Sequence, residues 1–296
     1  MAPSGAHVKR SCGCDALVVV DVTGEQDSGA VEAAGALLAS ARRVVVLTGA
    51  GISTDSGIPD FRGPNGLWTK NPMAERASHL TSYVGDPEVR LASWQARLSS
   101  PAWTAVPNDG HRALVDLERQ SRLHTLVTQN IDELHQRAGS DPKKVVEVHG
   151  TMHRWICLSC GAGGPMEEAL ERVRAGEADP ACEAVVDGAT CGGIVKSATI
   201  SFGQSLVEAD LERAMGAARS CDVLLTVGSS LGVYPIAQAV PIARQHGAAL
   251  IIVNGEPTPF DAIADAVVRE PISEALPQIV ALAGAATPQP EAGSSS

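Results

Sequence analysis

Positive charge is scarce in this chain of 296 residues: 23 Lys and Arg stand against 34 Asp and Glu, a formal net charge of −11. A surface of that sign has no general attraction for nucleic acid or anionic lipid, so no direct partner of either kind is expected. It could draw a basic tail on a partner protein. Long apolar runs are also missing. No stretch is long enough to cross a bilayer, and the opening residues, MAPSGAHVKRSCGCD, lack the apolar core of a secretory signal. The expected location is therefore the cytoplasm, where thiols stay reduced. For the seven cysteines that ranks buried thiols and metal ligands ahead of disulfides, and their spacing decides.

What is present is an ordinary globular composition, with 44% hydrophobic and 19% charged residues. The length suffices for one large core with a smaller inserted module. Short apolar runs at residues 44–47, 125–127 and 145–148, and at Val223–Val227 and Ala249–Val253, alternate with helical periodicity at 31–41, 111–120, 208–219, 236–246 and 272–282. This rhythm predicts an α/β fold with a doubly wound parallel sheet. Two segments break it: residues 53–108 carry three of the four Trp, and residues 155–193 carry four cysteines. The expected organisation is a Rossmann-like domain over 31–150 and 201–284, with a helical insertion at about 64–108 and a small module at 151–200. An extension over 1–30, with an apolar run at 17–20, and a disordered tail over 285–296 complete it.

The first apolar run leads straight into Thr48-Gly49-Ala50-Gly51-Ile52-Ser53. A buried strand ending in Gly-x-Gly lets the backbone turn tightly and approach a pyrophosphate, with a helix N-terminus to receive it. The same dipeptide pattern also serves as a tight turn with no ligand. The dehydrogenase fingerprint needs a third Gly where Thr54 stands, and its acidic ribose partner is not evident. The next stretch, Asp55-Ser56-Gly57-Ile58-Pro59-Asp60-Phe61-Arg62-Gly63, is too rich for a mere connection. Phe61 could cover a flat ring. Arg62 could pair with phosphate or carboxylate, or pin the loop through a salt bridge.

GAGISTDSGIPDFRG resembles the opening signature of the sirtuins, the NAD-dependent protein deacylases, over roughly residues 31–282. Four further stretches match in the same order: Thr128-Gln129-Asn130-Ile131-Asp132, Val148-His149-Gly150, Gly228-Ser229-Ser230-Leu231 and Asn254-Gly255-Glu256-Pro257-Thr258. Each lies at the carboxyl end of a predicted strand, the ligand-binding edge of an open α/β sheet. The resemblance implies an NAD pocket lined by Gly49, Ala50, Gly51, Asp60, Phe61 and Arg62. It implies that Gln129, Asn130 and Asp132 contact the ribose and nicotinamide, Asn130 and Asp132 serving catalysis as well. Gly228, Ser229 and Ser230 would hold phosphate, with Asn254 and Glu256 near the adenosine ribose. NAD would be consumed as a co-substrate: the acyl oxygen of a modified lysine attacks the nicotinamide ribose, nicotinamide leaves, and the acyl group moves to ADP-ribose.

His149 would be the general base on a ribose hydroxyl, a role suited to neutral imidazole. By position alone, a His at a strand end is a hydrogen-bonded structural residue. His135 and His153 read as structural. Ile200, Phe202 and Gly203, with Gly232, Val233 and Tyr234, resemble the segments that clamp an acyl-lysine peptide as an added strand. Gln204 stands where the family often has Glu. In Trp94-Gln95-Ala96-Arg97 the Arg of an acid-acyl site is present and its Tyr partner is not, so acetyl or another apolar acyl group is expected, with Arg97 open between a carboxylate contact and a solvated helix charge. Cys157 and Cys160 form a CxxC knuckle, and with Cys182 and Cys191 they could close a structural Zn(2+) site. A redox CxxC is the other reading of the first pair, though no thioredoxin-like context surrounds it. Family members often space the second pair more tightly. Cys12 and Cys14 receive no role, and Cys221 reads as a packed thiol. A protein ADP-ribosyltransferase on the same scaffold is the main alternative activity. A regulatory nucleotide-binding module and a dehydrogenase are the others.

Overall fold

Val44 and Val46 belong to one hydrophobic cluster, Val45 and Leu47 to another, and all four are buried. A strand apolar on both sides is covered on both sides, and the rest of the sheet follows this pattern. The computed structural model describes residues 28–63 and 66–285. The apolar run at 17–20, Cys12 and Cys14, and the tail from 286 onward lie outside the described residues.

The strands in chain order are β1 (Val44–Thr48), β2 (Leu123–Thr128), β3 (Val145–Glu147), β4 (Gly150–Cys157), β5 (Gly163–Pro165), β6 (Val185–Val186), β7 (Ala189–Thr190), β8 (Val195–Thr199), β9 (Val223–Val227), β10 (Ala249–Val253) and β11 (Ala266–Val268). Six of them form a parallel sheet in the order β11-β10-β9-β1-β2-β3. Connections leave β1 in opposite directions, so the sheet has its switch point between β1 and β9, where a crevice opens at the strands' carboxyl ends.

Helices α1 (Ser28–Ser40), α2 (Leu67–Lys70), α3 (Pro72–Ala77), α4 (Leu80–Gly85), α5 (Pro87–Leu98), α6 (Asp109–Arg119), α7 (Leu134–Ala138), α8 (Met166–Arg174), α9 (Glu208–Ser220), α10 (Ala239–Gln245) and α11 (Ile272–Ala285) complete the fold. Leu38 of α1, Leu114 of α6 and Ile279 of α11 pack on the face that includes Leu225 and Ile251. Met215 of α9 and Val240 of α10 cover the other, with Leu224 and Ile252. None of the described helices is long and apolar enough to cross a membrane.

Three details differ from the sequence reading. The periodicity at 236–246 is a 3-10 turn, Ile236–Gln238, followed by α10. Pro241 has no N–H to donate, and restarting the helix places it in the first turn of α10, where none is needed. The edge strand β11 has only three residues, too few to register as a pattern. The cysteine segment, which carries few strand signals, is framed by a three-stranded antiparallel sheet ordered β5-β4-β8, whose strand β8 follows the last cysteine. It packs with α8 around a third core that contains Met166, Leu170, Val195 and the fully buried Trp94 of α5. The helical insertion and the cysteine module thus share one core, seated above the carboxyl edge of the large sheet.

Candidate active site

The loops after β1 and β9 meet backbone to backbone. Gly51 N donates to Gly228 O (2.9 Å) and Gly49 N to Val227 O (3.0 Å). A Cβ on Gly51 would lie 2.8 Å from Gly228 Cα, and one on Gly228, whose φ is +62°, would lie 2.3 Å from Ile52 N. The glycines are needed here for loop-to-loop contact, whatever else the turn receives. The chain continues as a 3-10 helix, Ala50–Ser56, where a helix N-terminus was expected. We expect Gly228→Ala to raise the KM for NAD at least about tenfold, because it imposes an unfavourable backbone angle and a steric clash at once; a titration of initial rates against NAD checks this.

The loop after β2 locks onto both neighbours. Gln129 Nε2 donates to Ser229 Oγ at 2.8 Å. Asn130 Nδ2 donates to Gly49 O (3.1 Å) and Ser53 Oγ (3.2 Å). Ser53 Oγ in turn donates to Asp132 Oδ2 at 2.8 Å, and Asp132 Oδ1 accepts from Leu134 N at 3.0 Å. His111 Nε2 stands 3.5 Å from Ser53 Oγ, with its pKa pushed down to about 4 by burial. The neutral ring and Asn108, which caps α6 and donates to Ile52 O (2.8 Å), close a buried network behind Asn130. Ser53, His111 and Asn108 were not picked out as site residues; their signal lies in contacts between segments distant in sequence.

His149 follows β3, and its Nδ1 lies 3.1 Å from Gln129 O. A carbonyl only accepts, so Nδ1 carries the proton and Nε2 presents its lone pair. Nε2 has no hydrogen-bond partner among the described residues. Burial holds the imidazole below its ordinary pKa, against the raising effect of that carbonyl, so the base form predominates at neutral pH. His135 is buried and bonded to Thr48, and His153 meets Asp132 O at 3.2 Å; both are structural by position.

A cleft of about 990 Å³ runs past these loops. It is lined by every residue expected to meet NAD, the base or the peptide, except Asp132 and Gly232. Asp132 is buried with its carboxylate engaged as above, so it supports Asn130 from behind. Phe61 stacks near Trp68 (4.8 Å between centroids), Trp68 near Phe202 (5.5 Å), and Arg62 lies 4.9 Å above the Trp68 ring. Arg62 makes no ion pair among the described residues, so cation–π contact takes the pinning role foreseen for a salt bridge. Asn254 and Glu256 are held by Arg269, which donates to both backbone carbonyls (2.7 and 2.8 Å); this anchor was not foreseen either. Phe202 and His79 form a parallel bridge that ties the segment after β8 to the insertion.

Arg97 is not a solvated helix charge. It stacks 5.2 Å from Trp94 and 5.7 Å from Tyr83, donates to Ser197 Oγ at 3.1 Å, and keeps a buried Nη1 with no partner among the described residues. Neighbouring Lys196 is buried and donates to Ser197 O (3.0 Å), and burial together with Arg97 pushes its pKa down to about 8. Trp94, at the place of the missing Tyr, turns into the module core instead.

The four cysteine Sγ atoms lie within 4.8 Å of one another, and those of Cys157, Cys160, Cys182 and Cys191 form no disulfide. Cys157 to Cys191 is 3.7 Å and Cys160 to Cys182 is 3.6 Å. A tetrahedron with Zn–S near 2.3 Å has edges of about 3.8 Å, so the set fits zinc. The knuckle amides of Ser159 and Cys160 point at Cys157 Sγ (3.4 and 3.5 Å), as thiolate coordination favours. The wide second spacing is taken up by the hairpin of β6 and β7, which leaves the ligand geometry intact. Cys221 is buried, as expected of a packed thiol.

The Sir2 family model matches residues 49–235, from Gly49 after β1 to Pro235 on the other side of the cleft. The chain belongs to the Sir2 family. A Streptomyces coelicolor protein named NAD-dependent protein deacetylase 2 is 49% identical over 237 residues, covering 80% of this Sir2 chain and 96% of the relative. A Sulfolobus acidocaldarius NAD-dependent protein deacetylase is 40% identical, covering 82% and 91%. A solved Sir2 enzyme superposes with a TM-score of 0.77 at 38% identity, covering 86% of this chain and 98% of that one. A Sir2 complex with a deacetylated p53 peptide and 3′-O-acetyl ADP-ribose gives 0.76 at 34%, covering 84% and 97%. Sir2 membership accounts for the joint appearance of the five strand-end loops and the cysteine module.

Proposed function

We infer that this Sir2 protein is an NAD-dependent protein lysine deacylase, with acetyl-lysine the first substrate to test. One observation supports this most: His149, with Nε2 open, faces the same cleft as the strand-end loops and the Phe202 and Tyr234 segments. Acyl-lysine, NAD and one water become free lysine, nicotinamide and O-acyl-ADP-ribose. In this reading Asn130 orients the nicotinamide ribose, Asp132 and Ser53 hold Asn130, and His149 Nε2 takes the proton of a ribose hydroxyl. Gly228, Ser229 and Ser230 carry phosphate, Asn254 and Glu256 the adenosine end, and Ile200–Gly203 with Val233–Tyr234 the peptide backbone. Gly232 precedes the latter pair without lining the cleft.

The zinc-holding module spans 151–200, the helical insertion about 64–108, and the Rossmann-like domain the remainder of 31–284. The cytoplasm is the proposed compartment, with acyl-lysine proteins as partners and no nucleic acid or membrane contact. Arg97 and Lys196, two cations without a carboxylate partner among the described residues, favour a second reading of the acyl pocket in which the acyl chain ends in a carboxylate. The test is incubation with labelled NAD and acetyl- or succinyl-lysine peptide. Deacylation leaves the label in free acyl-ADP-ribose; label retained on protein would support ADP-ribosyl transfer instead.

A further inference from the structure

His135 is a fully buried imidazole that the reaction does not touch. It lies on α7, and its Nε2 meets Thr48 Oγ1 at 2.9 Å. Thr48 Oγ1 donates to Thr128 Oγ1 at 2.8 Å, and Thr128 Oγ1 also receives the Asn130 N–H at 3.0 Å. The directions of these bonds are constrained. The Thr48 proton is committed to Thr128, so the proton between His135 and Thr48 belongs to Nε2. That leaves Nδ1 as a bare lone pair, in keeping with its lack of a partner among the described residues. The chain therefore reads His135 Nε2–H to Thr48 O–H to Thr128, which holds Asn130.

Thr48 and Thr128 are the last residues of β1 and β2 and lie opposite each other in the parallel register. The next residues are Gly49 on one strand, and Gln129 and Asn130 on the other. Thr48 O also accepts from Gln129 N at 3.0 Å, and Gln129 O is the carbonyl that orients His149. Both sides of the NAD site and the base thus hang from two strand ends joined by hydroxyls, and those hydroxyls are oriented from below by one ring.

We propose that His135 is a positioning residue for NAD cleavage: through Thr48 and Thr128 it sets the spacing between the Gly49–Gly51 loop and Asn130. This rests on the deacylase reading. Catalytic groups displaced by a fraction of an ångström lose rate without unfolding, so the effect falls on nicotinamide release and NAD affinity. His135→Gln keeps an N–H donor near the Nε2 position, whereas His135→Leu fills the volume without one. Thr48→Val breaks the same chain at its next link, and Thr48→Ser keeps the hydroxyl.

The experiment measures nicotinamide release with acetyl-lysine peptide and, separately, NAD affinity by calorimetry, at a temperature where each variant is folded. His135→Leu and Thr48→Val are each expected to lose roughly tenfold in kcat/KM for NAD, with the Gln and Ser variants close to wild type. The double variant is expected to be no worse than either single one, because both remove one linkage. Multiplying losses, a Gln variant as impaired as the Leu variant, or unchanged rates would overturn the proposal. If His135→Leu does not fold, the Val and Ser pair at Thr48 decides alone. A wild-type protein that binds NAD but releases no nicotinamide would instead overturn the deacylase reading, and the calorimetric comparison would still test the positioning.

Discussion

His149→Ala removes deacylation from a protein that stays folded and still binds NAD. The ring is half-buried at the turn from β3 to β4 and contributes one hydrogen bond, to Gln129 O, so its removal costs little stability. A positioned general base contributes about a hundredfold to ten-thousandfold in rate, and product formation should fall by that range. The pH profile gives an independent check. Burial lowers the His149 pKa, so the neutral, active form is complete above the ordinary value of about 6.5. The wild-type rate is expected to be flat from neutrality upward and to fall only on the acid side of that value. Unchanged turnover in the Ala variant would remove His149 from the mechanism.

Loss of the metal is expected to abolish activity from a distance. β4 and β8 pair from Cys157↔Val195 at the cysteine end to Gly150↔Thr199 at the cleft end. At the cleft end, Ile200 N donates to His149 O at 2.8 Å. A zinc cross-link there would fix two strands whose other ends carry His149 and Ile200. The module shares one small core with the helical insertion, and structural zinc sites contribute on the order of 10 kcal/mol or more to folding. Chelation, or Cys157→Ser, should release zinc, open the core around Trp94 and shift its fluorescence, and end deacylation. Metal analysis that finds no zinc in active, intact protein would contradict this.

The sheet was legible because its strands are short apolar runs buried on both faces, and Val44–Thr48 and Val223–Val227 need nothing else to be recognised. The Gly49–Gly51 loop was legible as a tight turn at a strand end, and it was the resemblance of five such loops together to the sirtuins that pointed it toward NAD. What the sequence concealed depends on contacts between distant segments. Ser53 is an ordinary loop serine until Asn130 and Asp132 meet it. Arg269 sits in an edge region with no periodicity until it captures two carbonyls. Asp132 belongs to the right motif yet faces away from the cleft, because its carboxylate caps the turn into α7. Arg97 stayed open between a carboxylate contact and a helix surface charge because the module that packs against it arrives about 100 residues later, through Ser197.

NAD is expected to be consumed in step with removal of an acyl group from lysine. The most direct measurement is mass spectrometry of a reaction containing the protein, NAD and an acetyl-lysine peptide. Free lysine peptide, nicotinamide and O-acetyl-ADP-ribose are expected in equal amounts. Nicotinamide released while the peptide stays acetylated, with ADP-ribose found on protein or in water, would contradict this.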